Sequence, residues 1–320
     1  MELNMPWVES PFFEELLTKK NLSPEDAELA RTYHRDGFLV LSGMFDETLI
    51  DQAVKEMNKH YDQLGVVQKD RALNLWQTKP AVKQLASDPK IMDTLQMLYG
   101  RRPIPFQTLN FKYGSQQRAH SDSIHFQSMP QRYLAGVWVA LEETNEDNGT
   151  LQYYPGSQRW PIFDYSVIMN QLETAQHAGD VQFYEDNYET FMEAMIKDIG
   201  AEPEVLRAKK GDVIIWAANL VHGGLPIRQK GRTRFSQVTH YFFEDCLYYN
   251  PSHSNIVTGE WSVASQINIA TGQREWGSYN GQKVPLKKAG DSRYLISRHA
   301  PKNWRDLVFL FQKAWHKVTH

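Results

Sequence analysis

The residues with the clearest capacity for chemistry are a histidine and an aspartate two positions apart, His120 and Asp122. The aromatic-rich segment around them, residues 107–126, is typical of β structure. Residues i and i+2 of a strand point to the same side of a sheet, so an imidazole nitrogen and a carboxylate oxygen could meet on one cation. A second histidine would complete the two-histidine, one-carboxylate face that leaves coordination positions open on a non-haem Fe(II) ion.

The pair alone is a weak signal, because the chain contains three His-x-Asp matches. His34–Asp36 and His60–Asp62 lie in segments with helical patterning. Residues i and i+2 of a helix face away from each other and cannot share a metal ion. Only the match at His120 keeps the geometry that a metal pair needs.

The second half of the chain supplies residues that could complete the site. His222 ends a β segment beside two glycines, which allow close backbone approach, although a structural histidine would fit there equally well. Further on, Arg234 and Ser236 share one face of a predicted strand. An arginine fork with a nearby hydroxyl suits a carboxylate ligand. Arg232 competes with Arg234 for this anchoring role.

Helices and strands occupy different parts of the chain. A helix start at Ser23-Pro24, with a stop at Gly37, predicts the first of several N-terminal helices. Further predicted helices cover about 46–64, 80–99, an insertion at about 160–205 and a basic C-terminal segment at 304–315. Predicted strands cover 38–41, 106–113, 119–126, 133–141, 151–154, 212–216 and 233–243.

Composition narrows the class of protein. Of the 320 residues, 41% are hydrophobic and 12% are aromatic, which suits a large aromatic-walled core. The net charge of −3 gives no reason to expect nucleic acid, and the single cysteine, Cys246, excludes an intrachain disulfide and any multi-cysteine metal cluster. We see no signal-peptide pattern and no apolar run of membrane-spanning length, and we therefore expect a cytoplasmic protein without a transmembrane segment.

Several blocks, in order, resemble the phytanoyl-CoA dioxygenase family of Fe(II)/2-oxoglutarate oxygenases. They are RDGFLVL (35–41), HSD (120–122), GVWVAL (136–141) with NGTL (148–151) and PGS (155–157), KGD (210–212), HG (222–223) and Arg234. The resemblance spans residues 32–243. One departure is Gln158, where the family usually has a histidine after Pro-Gly-Ser.

The resemblance implies an α+β chain with a double-stranded β-helix core, a cupin-like jelly-roll with flanking helices. It implies His120, Asp122 and His222 as iron ligands and Arg234, with Ser236 behind it, as the anchor for the distal carboxylate of 2-oxoglutarate. Asn110 is expected to touch the same cosubstrate. The implied activity is hydroxylation of a C–H bond with O₂, releasing succinate and CO₂. Relatives that halogenate carry a small apolar residue in place of the aspartate, so Asp122 favours hydroxylation over halogenation.

Alternatives remain open at this point. The same jelly-roll could be a binding protein without turnover, or a cupin-like metal enzyme that does not use 2-oxoglutarate, for which Arg234 would be unnecessary. The expected substrate is a small molecule or a CoA- or carrier-linked metabolite. An anionic one is favoured slightly, because residues 281–320 carry nine Lys/Arg against two acids. We expect one oxygenase domain: helices at 1–102, the jelly-roll at 103–250 and an extension at 251–320.

Overall fold

A computed structural model describes residues 4–64, 71–164, 184–254, 262–263 and 265–284, and the backbone of 286–288 and 294–296. The predicted C-terminal helix and part of the predicted insertion lie outside these ranges. Within them, no helix is both long and apolar enough to cross a membrane.

The N-terminal part is helical, as predicted. Its helices are α1 (Phe13–Thr18), α2 (Pro24–Asp36), α3 (Glu47–Leu64), α4 (Pro80–Ala86) and α5 (Pro89–Tyr99). The hydroxyl of Ser23 caps α2 by accepting the Asp26 N–H, and Gly37 ends it with φ of 82°. The other two His-x-Asp matches lie within α2 and α3, which confirms that they are helical.

The prediction of one continuous helix over 80–99 was wrong. Helix α4 ends with Ser87 as its C-cap, and the next residue, Asp88, is the N-cap of α5. Pro89 explains the break, because a proline ring disfavours the helical conformation of the residue before it. Asp88 is accordingly extended, with ψ of 128°, and its carboxylate accepts the N–H groups of Lys90 and Ile91.

The strands form two facing antiparallel sheets. The larger has the order β1-β8-β5-β10-β3-β2 and the smaller the order β7-β6-β9. Their bounds are β1 Phe38–Leu41, β2 Ala72–Leu73, β3 Pro103–Phe111, β5 Leu134–Ala140, β6 Leu151–Tyr153, β7 Glu204–Val205, β8 Val213–Ala217, β9 His222–Gly224 and β10 Ser236–Phe243. A separate pair, β4 (Gln127–Met129) with β11 (Leu247–Tyr249), and short strand pairs between 266 and 296 complete the described elements.

Both faces of the large sheet are buried, which explains its nearly unbroken apolar sequences. On β5 and β8, Val137, Val139 and Ile215 pack against the N-terminal helices. Alternate residues, including Trp138 and Trp216, point the other way into the space between the two sheets. The expected α+β jelly-roll with flanking helices is therefore present, and it leaves a cavity between its sheets.

The insertion packs beside the mouth of the jelly-roll. A π-helical turn, Tyr184–Glu189, leads into helix α6, Thr190–Ile199. Tyr188 and Met192 form a small apolar cluster with Ile124 and Val221. The insertion thus contacts the two segments that carry His120 and His222.

Candidate metal centre and cosubstrate pocket

Three ligand-type side chains converge at one end of the cavity. His120, Asp122 and His222 are all buried, and one ligand atom from each lies within 4.8 Å of the others. His120 and His222 face each other across an antiparallel bridge, with reciprocal N–H to carbonyl bonds of 2.9 and 2.8 Å. Gly223 permits this approach, because a Cβ there would lie 2.9 Å from the Gln117 carbonyl oxygen. The structure therefore brings together the three residues predicted as ligands.

Asp122 reaches the cluster by a different route from the one expected. Residues 119–126 do not form a strand, since only His120 has a β partner and Asp122 begins a short 3₁₀ helix, Asp122–Ile124. The prediction of a strand here was wrong. The N–H groups of His125 and Phe126 bond to the Asp122 carbonyl, so local turn bonds replace strand pairing.

Both histidines present the same nitrogen to the cavity. Nδ1 of His120 lies 2.9 Å from the Arg118 carbonyl oxygen, and Nδ1 of His222 lies 3.0 Å from that of Leu220. A carbonyl oxygen only accepts, so each Nδ1 carries the proton and each Nε2 keeps its lone pair. Burial, with His222 nearby, lowers the pKa of His120 to about 3, which keeps its imidazole neutral and able to bind a metal ion.

The carboxylate of Asp122 is held in one orientation. Its Oδ2 accepts the indole N–H of Trp216 at 2.7 Å and lies 3.4 Å from Nε2 of His240. Its Oδ1 lies 3.9 Å from Nε2 of His222 and remains available as a ligand. Burial alone would raise the pKa of Asp122, but His240 and His222 hold it well below its usual value, so the group is ionised.

Arg234 lies in the same cavity, which has a volume of about 440 Å³. Its side chain is buried, and Nη1 donates to the Gly149 carbonyl at 2.9 Å while Nε has no hydrogen-bond partner. Burial lowers the pKa of Arg234 to about 10, which leaves the guanidinium charged at neutral pH. Among the described residues the carboxylate of Glu142 favours its charge but no carboxylate forms an ion pair with it, so an anionic ligand in the cavity would stabilise the buried cation.

The two other predicted cosubstrate residues differ in position. Ser236 lies on the same face of β10 as Val238, which lines the cavity, and its hydroxyl donates to the Arg234 carbonyl at 3.4 Å. Asn110 points to the opposite face of β3, where its amide contacts Gln237 at 3.1 Å and Met57 at 3.8 Å. The structure does not bring Asn110 to the cavity, and we do not retain it as a cosubstrate contact.

The competing arginine and the departure at Gln158 lie outside the cavity. Nη1 of Arg232 lies 3.6 Å from Asp147, on the surface. The amide of Gln158 donates to the His34 carbonyl at 3.1 Å and ties the end of α2 to the turn after β6. Arg232 and Gln158 therefore make structural contacts away from the ligand cluster.

Sequence reasoning missed the residues that orient Asp122. These residues are Trp216 and His240. One signal was available in the block GVWVAL: Gly136 pairs with Trp216 across β5 and β8. A Cβ at Gly136 would lie 2.3 Å from the indole ring, so this glycine makes room for the group that holds Asp122.

The insertion also supports the ligand segment. The hydroxyl of Tyr188 accepts the N–H of Ser121, between two predicted ligands, at 2.8 Å. Arg118, whose carbonyl orients His120, forms ion pairs with Glu189, at 2.8 Å, and with Glu193. These contacts link the insertion to the backbone that positions His120 and Asp122.

The residues present fit a divalent iron ion and a 2-oxo acid. Two imidazole nitrogens and one ionised carboxylate oxygen are the donors that a facial Fe(II) site requires. The buried Arg234, whose Nε has no hydrogen-bond partner, fits the remote carboxylate of a dicarboxylic cosubstrate in the same cavity.

The sequence model of the phytanoyl-CoA dioxygenase (PhyH) family matches residues 33–235, well over half of the chain. This chain belongs to the phytanoyl-CoA dioxygenase family. The matched region contains every member of the ligand cluster together with Arg234, and it includes the insertion.

Individual relatives in the PhyH family are distant. Human peroxisomal phytanoyl-CoA dioxygenase is 26% identical over 254 residues, covering 74% of this chain and 68% of that protein. A phytanoyl-CoA dioxygenase domain-containing protein 1 homolog from Caenorhabditis briggsae is 28% identical over 144 residues, covering 42% of this chain and 47% of the relative. Matches to further homologs of that protein cover 37% and 65% of their lengths.

A solved structure shows the same fold. The epimerase SnoN in complex with Fe³⁺, alpha ketoglutarate and nogalamycin RO superposes with a TM-score of 0.51 at 17% identity. The alignment covers 70% of this chain and 86% of SnoN. At this identity the likeness supports the jelly-roll architecture of the PhyH chain and nothing finer.

Proposed function

We propose that this PhyH-family chain is an Fe(II)- and 2-oxoglutarate-dependent dioxygenase that hydroxylates a C–H bond of a small-molecule, CoA-linked or carrier-linked substrate. One observation carries the proposal. The buried cluster of His120, Asp122 and His222 shares a cavity with Arg234, a buried cation that has no carboxylate partner within the described chain. A metal-binding protein that did not use a dicarboxylic cosubstrate would have no need of that cation.

The protein residues have separate roles in this proposal. Nε2 of His120, Nε2 of His222 and Oδ1 of Asp122 hold the ion, while Trp216 keeps the carboxylate in place. Arg234 binds the distal carboxylate of 2-oxoglutarate, with Ser236 supporting it from behind. When bound, Fe(II) and 2-oxoglutarate supply the oxidant for the substrate C–H bond as O₂ is consumed and succinate and CO₂ are released.

One feature of the protein favours hydroxylation over halogenation, and a second protects the charged groups of the cavity. The carboxylate of Asp122 takes the coordination position that a halogenating site would leave for a halide. The aromatic rings of Phe111 and Trp138 lie 5.5 and 5.9 Å from the Arg234 guanidinium and limit the access of water to the charged groups.

The proposal is tested by incubating the protein with Fe(II), 2-oxoglutarate and ascorbate in air and measuring succinate against a protein-free blank. We expect succinate from the wild type and none above the blank from Asp122→Ala. Asp62→Ala is the matched control, because Asp62 is the exposed acid of another His-x-Asp match and lies outside the cavity. If the wild type forms no succinate with any candidate substrate, the proposed activity is wrong.

A further inference from the structure

A second cation stands at the mouth of the cavity. The lining there includes Arg71, Leu73, Ser115 and Gln117. Nη1 of Arg71 donates to Oε1 of Gln117 at 3.3 Å. No ion pair joins Arg71 to a carboxylate within the described ranges. The guanidinium is exposed, is oriented by a neutral partner and lines the cavity.

The neighbours of Arg71 add donors that point to the same kind of ligand. Because Gln117 uses Oε1 to accept from Arg71, its amide Nε2–H₂ group remains available to donate. The Ser115 hydroxyl accepts the Gln117 N–H at 3.4 Å and still has its own proton to give. A guanidinium, an amide and a hydroxyl together form a donor set for an oxyanion.

With Fe(II) and 2-oxoglutarate bound, the net charge of the cavity would also favour an anionic ligand. Apart from histidines, the acidic and basic side chains among its described lining residues are Asp122, Arg234 and Arg71. An Fe(II) ion and the 2-oxoglutarate dianion, together with Asp122 and Arg234, have no net charge. Arg71 therefore leaves one positive charge, which a singly charged anionic group on the substrate would neutralise.

The wall beside Arg71 is apolar. Leu73 pairs with Leu109 across β2 and β3, and both line the cavity. Leu73 is 58% exposed, so its side chain is accessible to a ligand that enters the cavity. The mouth thus combines an apolar wall with a cationic end, which suits an amphipathic ligand.

We propose that Arg71 and Gln117 form the subsite that binds a carboxylate on the substrate, at the end remote from the carbon that is oxidised. The apolar chain of the substrate lies against Leu73 and Leu109. The proposal rests on the proposed function, because the charge argument assumes that the metal ion and 2-oxoglutarate are bound.

The test uses octanoate and octanamide as probes, which have the same chain and differ in charge at the head group. Each is titrated into protein loaded with Fe(II) and 2-oxoglutarate without O₂, and binding is followed by calorimetry. We expect the wild type to prefer octanoate. Arg71→Gln should weaken octanoate binding by about tenfold, as expected for the loss of a charge-assisted hydrogen bond, and Arg71→Lys should recover part of it. Arg228→Gln, which removes an exposed cation outside the cavity, should bind octanoate like the wild type.

Three results would overturn the subsite. They are equal binding of octanoate and octanamide by the wild type, no octanoate binding at all, and an Arg71→Gln variant that binds octanoate like the wild type. The parent proposal is judged separately, because the same preparation is first assayed for succinate and for 2-oxoglutarate binding. A preparation that passes those assays and shows one of the three results contradicts the subsite alone.

Discussion

At the scale of single residues, the site depends on charges and protons held in buried positions. The protonation of both Nδ1 atoms is imposed by backbone carbonyls, and the ionised state of Asp122 by the imidazoles around it. Arg234 is charged although it is buried. The buried charge of Arg234 is costly without an anionic ligand and favourable with one, which is why it indicates a binding site.

Replacing Arg234 tests the cosubstrate anchor. Arg234→Ala removes a charge-assisted contact, and we expect the KM for 2-oxoglutarate to rise by about 10- to 100-fold. Steady-state succinate formation measures it. Arg232→Ala is the matched control, since Arg232 lies on the surface beside Asp147 and should leave this KM unchanged. If Arg232→Ala raises the KM for 2-oxoglutarate more than Arg234→Ala does, Arg232 is the anchor.

Replacing Trp216 tests the orientation of Asp122. Trp216→Phe deletes the indole N–H that holds Oδ2, and we expect Fe(II) affinity to fall by about 10- to 100-fold, as for other groups that orient a metal ligand. Competition with a chromogenic chelator measures the affinity. Trp138→Phe is the control, because Trp138 is also buried in the cavity wall but its indole nitrogen has no hydrogen-bond partner. Equal losses in both variants would show that packing, and not the hydrogen bond, supports the metal ion.

Part of this detail could be predicted from the sequence. The identities of His120, Asp122, His222 and Arg234 followed from residue type and order, because their chemistry is specific. The position of Asn110 could not be predicted in this way. A shift of one residue along a strand moves a side chain to the other face, and the sequence alone does not fix that register. Trp216 was missed as the partner of Asp122, because the contact depends on strands that are far apart in the chain.

At the scale of secondary-structure elements, pairing between β5 and β8 and packing of the insertion determine where the ligands lie. The absence of a side chain at Gly136 sets the depth of Trp216. Tyr188 connects the insertion to Ser121. The bounds of a helix could be predicted where its caps were clear, as at Ser23 and Gly37. The prediction of a strand was wrong at Asp122, where local turn hydrogen bonds replace strand pairing.

Gly136→Ala tests the packing of β5 against β8. The added methyl group would overlap the indole of Trp216, and we expect a loss of about 1–3 kcal/mol in the free energy of unfolding. Urea denaturation measures it. In a Trp216→Phe background, Gly136→Ala should lower the free energy of unfolding by a smaller amount, since the two positions are in contact. An equal cost in both backgrounds would mean that the ring is not the obstacle.

Tyr188→Phe tests whether the insertion positions the ligand segment. The change leaves the N–H of Ser121 without its acceptor, and we expect weaker Fe(II) binding with the helical content retained. Chelator competition and circular dichroism measure the two properties. Tyr248→Phe is the control, because it loses a buried hydrogen bond to the Phe243 carbonyl away from the metal cluster. If Tyr188→Phe lowers stability as Tyr248→Phe does and leaves Fe(II) affinity intact, the insertion has no positioning role.

At the scale of the whole molecule, the jelly-roll places a cavity between two sheets and the N-terminal helices cover the outer face of the larger sheet. The separation of helices from strands indicated an α+β chain, whereas the jelly-roll itself was predicted from the resemblance to the family. The division into one oxygenase domain with a C-terminal extension stays a prediction, and the basic helix predicted at 304–315 lies outside the described residues.

The most direct test of the account is an anaerobic titration of 2-oxoglutarate into Fe(II)-loaded protein, followed by visible absorption. Chelation of Fe(II) by a 2-oxo acid produces a charge-transfer band that neither component shows alone. We predict a saturable band for the wild type, no band for His222→Ala, and saturation only at higher 2-oxoglutarate concentration for Arg234→Ala. A wild-type protein that binds Fe(II) and yet develops no band would contradict the assignment of this cavity as an Fe(II)/2-oxoglutarate site.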